Sequence, residues 1–380
     1  MKSKKDETKD VVDFYVEKEE FLNLLTKAKT CLLKSNSIPI LEYLCLTNNK
    51  IKAFNGVQGI EINFNNPFTI CLKGDFISKL VSSYSSEKLK LGYEEKCFRI
   101  NTASVAVLPS DKFLFNLKEL GEENFKLRIE KDFIDTLKFC YEAAHDSIVE
   151  EDQNGITMHV KKSGLISFGA TNSIALAYSV IPYKEEVFDC SILLPKKFCE
   201  ILIKLFDDKG YFYEMFFYKD SIVVKGIKII SEDKDGSCEV YDEFTLYTKL
   251  NSDIELIDFE EILESYDIKP FEKEEDMLPI TKELVEVINR INLVGSKDGN
   301  TFAETSKNKL YFTTKSATAK AEDVVIFTKE LPEFSCMLNI PNLKMFITNS
   351  AKIKFYHKGD DTIFIGRKED NLLLLNNLGD

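Results

Sequence analysis

Three stretches of the chain place apolar residues at helical spacing directly after a short β-like run. The first is Val16-Glu17-Lys18-Glu19-Glu20-Phe21, whose stripe continues through Leu24, Leu25, Ala28 and Leu32. The second is Ile129-Glu130-Lys131-Asp132-Phe133, continued by Ile134, Leu137, Tyr141 and Ala144. The third is Ile280-Thr281-Lys282-Glu283-Leu284, continued by Ile288 and Ile291. One-sided stripes of this kind belong to helices lying on a sheet. A second element recurs downstream of each: Ile70-Cys71-Leu72-Lys73-Gly74-Asp75-Phe76, Ile192-Leu193-Leu194-Pro195-Lys196-Lys197-Phe198 and Cys336-Met337-Leu338-Asn339-Ile340-Pro341-Asn342. Each reads as a strand leading into another helix, over 76–84, 197–206 and 342–348. The runs KIKAFNGVQGIEINF, GLISFGATNSIALAYSVIPY and KLYFTTKSATAKAEDVVIF are rich in β-branched and aromatic residues and alternate with period two. They predict antiparallel strands.

The pattern is a repeat: an α+β chain of three tandem domains, each with two helices packed on antiparallel sheet. The boundaries fall at 1–121, 122–265 and 266–380. The copies are unequally spaced, 112 residues from Phe21 to Phe133 and 151 from Phe133 to Leu284. The extra length lies late in the second copy, around SEDKDGSC and residues 251–277.

Charge modifies this picture. The 380 residues include 50 basic and 63 acidic ones, a net −13. That excludes a surface coated all round in nucleic acid but permits a local basic lining. Residues 251–277 hold eleven acids and two bases, so the acidity is concentrated there. The segment reads as a solvated linker. At 44% apolar residues the chain can build several cores. No window is long and apolar enough for a membrane span, and the opening MKSKKDETKD has no apolar segment of a secretory leader. The expected location is the cytoplasm, with no membrane contact. Nine cysteines stand singly with no CxxC pair, as small buried hydrophobes of a reducing compartment do. His145, His159 and His357 have no ligand at metal spacing, and P-loop, GxGxxG and GxSxG patterns are absent. Neither enzyme, metal nor cofactor is expected.

Short motifs then accumulate in order along the chain. Ser37-Ile38-Pro39-Ile40-Leu41 resembles the Thr-Leu-Pro-Ile-Leu of the bacterial β-type DNA sliding clamps, processivity subunits of the replicative polymerase. Gly56-Val57-Gln58-Gly59-Ile60-Glu61-Ile62 resembles their Gly-Thr-Asp-Leu-Glu, and Val107–Phe113 the stretch closing their first domain. Ala170-Thr171-Asn172-Ser173-Ile174-Ala175-Leu176-Ala177 resembles Ala-Thr-Asp-Gly-His-Arg-Leu-Ala. Leu193-Leu194-Pro195-Lys196-Lys197 resembles Val-Pro-Arg-Lys; Tyr247–Leu250 with Ile257-Asp258-Phe259 resembles a Ser-Lys-Leu and Pro-Asp-Tyr loop. The Asp, His and Arg of the family motif are replaced by Asn172, Ile174 and Ala175. The tail Leu374–Asp380 departs from Met-Pro-Met-Arg-Leu; these positions lie where family members bind partner peptides, so the departures bear on partner identity and not on the fold, and fit a divergent phage- or plasmid-like member.

The resemblance implies a head-to-tail homodimer forming a ring around double-stranded DNA without sequence preference, loaded by a clamp loader and tethering the polymerase. The alternative is a clamp-like interaction scaffold that no longer loads on DNA. Expected DNA-facing residues are Lys27, Lys34, Lys79, Lys138, Lys197, Lys204, Lys282, Arg290 and Lys344. Asp135, Glu142, Glu200 and Glu286 share those faces. The expected partner-peptide pocket comprises Thr171, Ile174, Leu176, Ile257, Ile262, Leu373, Leu375 and Leu378. Ring closure is expected at strand edges near 103–107 and after Ile291.

Overall fold

The computed structural model describes residues 14–35, 37–94, 97–115, 117, 120–145, 154–184, 189–207, 211–232, 238–251, 253–268, 277–295, 299–358 and 361–378. The charged opening, the centre of SEDKDGSC, part of the acidic 251–277 segment, Gly379 and Asp380 lie outside these residues. The expected repeat is present as three copies of one element order. The first is β1 (Phe14–Glu17), α1 (Lys18–Lys29), β2 (Tyr43–Thr47), β3 (Lys50–Phe54), β4 (Gln58–Asn63), β5 (Ile70–Lys73), α2 (Gly74–Ser83), β6 (Lys88–Glu94), β7 (Cys97–Ile100) and β8 (Ala103–Ala106). A short β9 (Leu108–Pro109) follows. The second is β10 (Phe125–Ile129), α3 (Lys131–Tyr141), β11 (Gly155–Lys161), β12 (Leu165–Thr171), β13 (Ala175–Pro182), β14 (Cys190–Pro195), α4 (Lys196–Leu205), β15 (Tyr211–Tyr218), β16 (Ser221–Glu232) and β17 (Cys238–Lys249). An additional helix, α5 (Phe259–Ser265), precedes the third copy. That copy is β18 (Leu278–Pro279), α6 (Lys282–Val294), β19 (Asn300–Ser306), β20 (Lys309–Lys315), β21 (Lys320–Ile326), β22 (Ser335–Asn339), α7 (Ile340–Asn349), β23 (Lys352–Lys358), β24 (Asp361–Lys368) and β25 (Asn371–Asn376).

Helix starts follow local chemistry. Thr281 Oγ1 accepts the Leu284 N–H at 3.2 Å, and Asn339 Oδ1 accepts that of Asn342 at 3.1 Å, with Pro341 in the first turn of α7. The apolar stripes are buried as their spacing requires: Phe21, Leu24, Leu25 and Ala28 on α1, and Leu284, Ile288 and Ile291 on α6. Leu32 and Ala144 fall beyond the ends of α1 and α3. Burying each large apolar side chain contributes roughly 1.5–3 kcal/mol. Helix α5 was not expected, since the segment's charge hid its signal. Asp258 caps it by accepting from the Glu260 and Glu261 N–H groups at 3.0 Å, and Phe259 and Leu263 are buried one turn apart. The segment read as a solvated linker is therefore partly a packed helix.

The described residues form two compact units: those within 1–130 and 204–250, and those within 131–203 and 251–380. In the first, one sheet has the order β10-β15-β16-β17-β4-β3-β2-β5-β9 and another β1-β6-β7-β8. Helix α1 packs on β3 and β4, with Phe21 stacked on Phe64. In the second, the orders are β14-β11-β12-β13-β25-β24-β23-β18 and β21-β20-β19-β22. There α3 packs on β11, β12 and β13, α6 on β20 and β21, and α7 on β24 and β25.

Each long sheet joins four-stranded sheets from two successive copies edge to edge, with the short β9 added at the end of the first. The first join pairs β17 with β4, Phe244 opposite Ile62 and Leu246 opposite Ile60. The second pairs β25 with β13, Leu375 opposite Ala175 and Leu373 opposite Ala177. Both are antiparallel and use the same two strands of the repeat. The strands equivalent to these at the chain's two extremes are β8 and β21. Among the described residues each ends its sheet.

Candidate functional site

A cavity of about 180 Å³ opens in the second unit. Its wall comprises Thr171, Ser173, Ile174, Ala175 and Leu176 around the β12–β13 turn, Ile262 and Tyr266 from α5, Ile363 from β24, and Leu374 and Asn376 from β25. The turn is built by Asn172, whose Oδ1 accepts the Ile174 and Ala175 N–H groups at 3.1 and 2.7 Å. Thr171 Oγ1 donates to the Ala175 carbonyl at 2.9 Å, and Ser173 takes a left-handed φ of 70°. Asn172 Nδ2 also donates to Asn342 Oδ1 of α7 at 3.1 Å. The Ile174 carbonyl accepts from the Asn376 N–H at 2.8 Å, which holds the turn against the tail strand.

The opposite wall is α5. Phe259 sits against Gly169, where an added Cβ would lie 2.2 Å from its ring. Glu260 receives Lys161 Nζ on both carboxylate oxygens, at 2.6 and 2.7 Å, and the Tyr178 hydroxyl at 2.7 Å. Burial alone would raise the Glu260 carboxyl, but the hydrogen bonds from Lys161 and Tyr178 outweigh it and hold the group below its usual range. Burial, then the Glu260 acceptor, pushes the Tyr178 phenol up. Nearby, His159 Nδ1 lies 2.6 Å from Ser191 Oγ, and burial lowers its imidazole despite Asp258 and Glu260.

Of the residues expected to form the pocket, Thr171, Ile174, Leu176 and Ile262 line it. Ile257 packs at the edge of the apolar cluster behind it, which contains Leu176, Phe259, Leu372 and Leu374. Leu373 and Leu375 do not line it. Strand alternation turns them to the other face of β25, where they are buried on the side of α7, and Leu374 faces the cavity instead. Leu378 is elsewhere too: its N–H donates to the Met337 carbonyl at 2.9 Å. It lines a second, larger cavity of about 860 Å³ with Glu304, Glu333, His357 and Asp361. Asn376 lines both cavities. Sequence reasoning missed Ser173, Ala175, Tyr266, Ile363, Leu374 and Asn376. The parity of the four-leucine run could have been read only with a register for β25.

The basic residues expected on helix faces fall into three groups. Lys34, Lys79 and Lys344 are exposed, and among the described residues Lys79 and Lys344 have no carboxylate at ion-pair distance. Lys138, Lys197 and Lys282 are exposed but pair with Asp135, Glu200 and Glu286 one turn away; Lys204 is exposed; Arg290 Nε meets Asp323 at 2.6 Å. Lys27 departs from the expectation. Its ammonium is drawn beneath α1 to Glu243, which also accepts from the Tyr211 hydroxyl, and its side chain is only 17% exposed. A largely buried glutamate competes for it better than water does. The six repeated helices hold twelve basic and eight acidic residues, net +4 in a chain of −13.

Among the described residues no group of His, Cys, Asp and Glu could hold a metal ion, and no helix is long and apolar enough to cross a membrane.

The repeat, its two sheet joins and its six helices constitute the three-domain fold of the bacterial β sliding clamps. Solved structures with this fold align with nearly the whole chain. The β subunit of the Streptococcus pyogenes DNA polymerase is 17% identical, with a TM-score of 0.76 over 97% of this chain and 100% of that one. The Borrelia burgdorferi DNA polymerase III subunit β, solved with a natural product, is 15% identical, with a TM-score of 0.77 over 97% and 98%. The Pseudomonas aeruginosa sliding clamp, solved with griselimycin bound, is 14% identical, with a TM-score of 0.76 over 97% and 99%. No protein-family model matches the sequence, and no curated protein matches it.

Proposed function

We propose that the chain is a DNA sliding clamp: two copies close head to tail into a ring around duplex DNA and tether the replicative polymerase. The observation that carries this reading is the sheet join made twice within the chain and left open at both extremes. A β8-type strand pairs with a β4-type strand at β17–β4 and at β25–β13. The remaining β8 and β21 are the two halves of a third such join, which a second copy completes twice over. Edge pairing of this kind also removes two exposed strand edges that invite aggregation.

On this reading the domains are 1–121, 122–265 and 266–380, and six of them surround the bore. Two helices per domain give twelve. At about 10–12 Å each they make a circumference near 120–140 Å and a bore of roughly 30 Å, room for a duplex and a water layer. Lys34, Lys79, Lys138, Lys197, Lys204, Lys282, Arg290 and Lys344 supply weak phosphate contacts without sequence information. The pairing of Lys138, Lys197, Lys282 and Arg290 with nearby acids suits sliding, because a cation already partly neutralised does not lock onto one phosphate. The chain itself performs no catalysis. The Thr171–Asn376 pocket receives an apolar side chain from a peptide of the polymerase or the loader, in the cytoplasm.

The test is solution mass together with retention on DNA. A mass of twice 43.6 kDa, with retention after loading on nicked circular but not linear DNA, is expected. A monomer, or equal loss from both DNAs, overturns the reading.

A further inference from the structure

We infer that the peptide received by the Thr171–Asn376 pocket carries Lys or Arg beside its apolar anchor. This rests on the pocket reading above and adds the chemical class of the occupant. Among the described residues the pocket has no charged residue in its lining. Ile174 and Ala175 stand where the resembled motif has His and Arg, so the cations that would suit an acidic ligand are missing. What surrounds the pocket is acidic on two sides. On one, the segment that provides the α5 wall holds seven carboxylates and no Lys or Arg between Asp253 and Asp267. Among the described residues, only Glu260 of these seven has a cationic partner, Lys161. On the other, the larger cavity that shares Asn376 is lined by Glu304, Glu333, Asp361 and His357, with no Lys or Arg among its described lining residues.

One exposed carboxylate contributes little. A set of like charges flanking an apolar socket does more, because it raises the local concentration of a cationic segment and rejects an anionic one. A further observation marks the path between the two cavities. Asn376 lines both cavities, and its Oδ1 is buried with no hydrogen-bond partner among the described residues. Buried acceptors are normally satisfied. Rotation of the Asn376 amide would bring this oxygen to a peptide N–H passing from the small cavity to the larger one, with the apolar side chain seated in the first and a cation over the second.

Fluorescence anisotropy with the full-length protein tests this with two labelled octapeptides. One is Lys-Lys-Gly-Gln-Leu-Ala-Leu-Phe; the other has two Glu in place of the two Lys. The basic peptide is expected to bind about tenfold more tightly at about 50 mM NaCl, with the gap closing to about twofold at about 500 mM as the charges are screened. Glu261→Gln with Glu264→Gln, and Glu304→Gln with Glu333→Gln, change exposed side chains. Together they should shrink the gap to about twofold at low salt. Equal affinity for both peptides, or tighter binding of the acidic one, overturns the charge inference and leaves the pocket standing. Binding of neither peptide, or binding unchanged by Ile174→Asp, overturns the pocket reading and this inference with it.

Discussion

Each compact unit contains a lysine, a glutamate and a tyrosine joined in one cluster. In the first, Lys27 and Tyr211 meet Glu243, with the lysine and glutamate side chains 17% and 9% exposed. In the second, Lys161 and Tyr178 meet Glu260, at 41% and 39%. The chemistry is the same and the solvent is not. In the dry cluster the charges interact strongly and neither can be lost alone, so the pair pins α1 to β17. In the wet one water competes for each partner, so the cluster orients α5 at the pocket rim while contributing little to stability. Identical side chains are thus a structural pin in one place and the adjustable wall of a candidate binding site in the other.

The largest effect is expected from Glu243→Ala, which leaves the Lys27 ammonium unpaired beneath α1. It should cost about 3 kcal/mol in urea unfolding. Lys27→Met combined with Glu243→Leu should recover most of that, and an equal loss in both variants would show that packing, not charge, is at stake. Next comes Gly169→Ala. Its Cβ would lie 2.2 Å from Phe259, costing about 1–3 kcal/mol by overpacking and displacing α5. Peptide binding by this variant should be lost; retained affinity would show that α5 is not the wall that matters.

Glu260→Gln should cost under about 1 kcal/mol, because its pair is half-wet, while weakening peptide binding several-fold. Its pH behaviour follows from the lowered carboxyl. The folded form holds a proton less readily than the unfolded form, so the stabilisation is complete above the ordinary value of 4.5 and is lost as pH falls through the lower, folded value. Amide exchange in α5 should therefore accelerate in the variant at neutral pH, and in the parent protein only on acidification below the ordinary carboxyl value of 4.5. Identical exchange in both at neutral pH would remove Glu260 from this role. The smallest stability change, within about 0.5 kcal/mol, belongs to Lys197→Glu with Lys204→Glu on exposed positions of α4. These should shorten retention on nicked circular DNA and reduce the salt slope by about 0.9 for each phosphate no longer neutralised. Unchanged retention at low salt would take α4 off the DNA face.

Helix stripes and strand alternation are local signals, so the three copies and their six repeated helices were legible in the residue order. The cap of α6 at Thr281 comes from a residue adjacent in the chain. The pocket was half legible: Thr171, Ile174 and Leu176 sit in one motif, and Ile262 follows the Asp258 cap. Leu374 was confused with Leu373 and Leu375 because a run of four leucines has no polar residue to mark its faces. Lys27 was read as an outward cation because its partner, Glu243, is 216 residues away.

The order of residues alone determined that the polypeptide repeats a two-helix, antiparallel-sheet building block, since that information lies within a few turns of any position. Only the tertiary structure decided which edges join, which side of β25 meets the cavity, and which glutamate claims which lysine. Those choices depend on register and on competition between distant partners for burial, and neither leaves a mark on neighbouring residues.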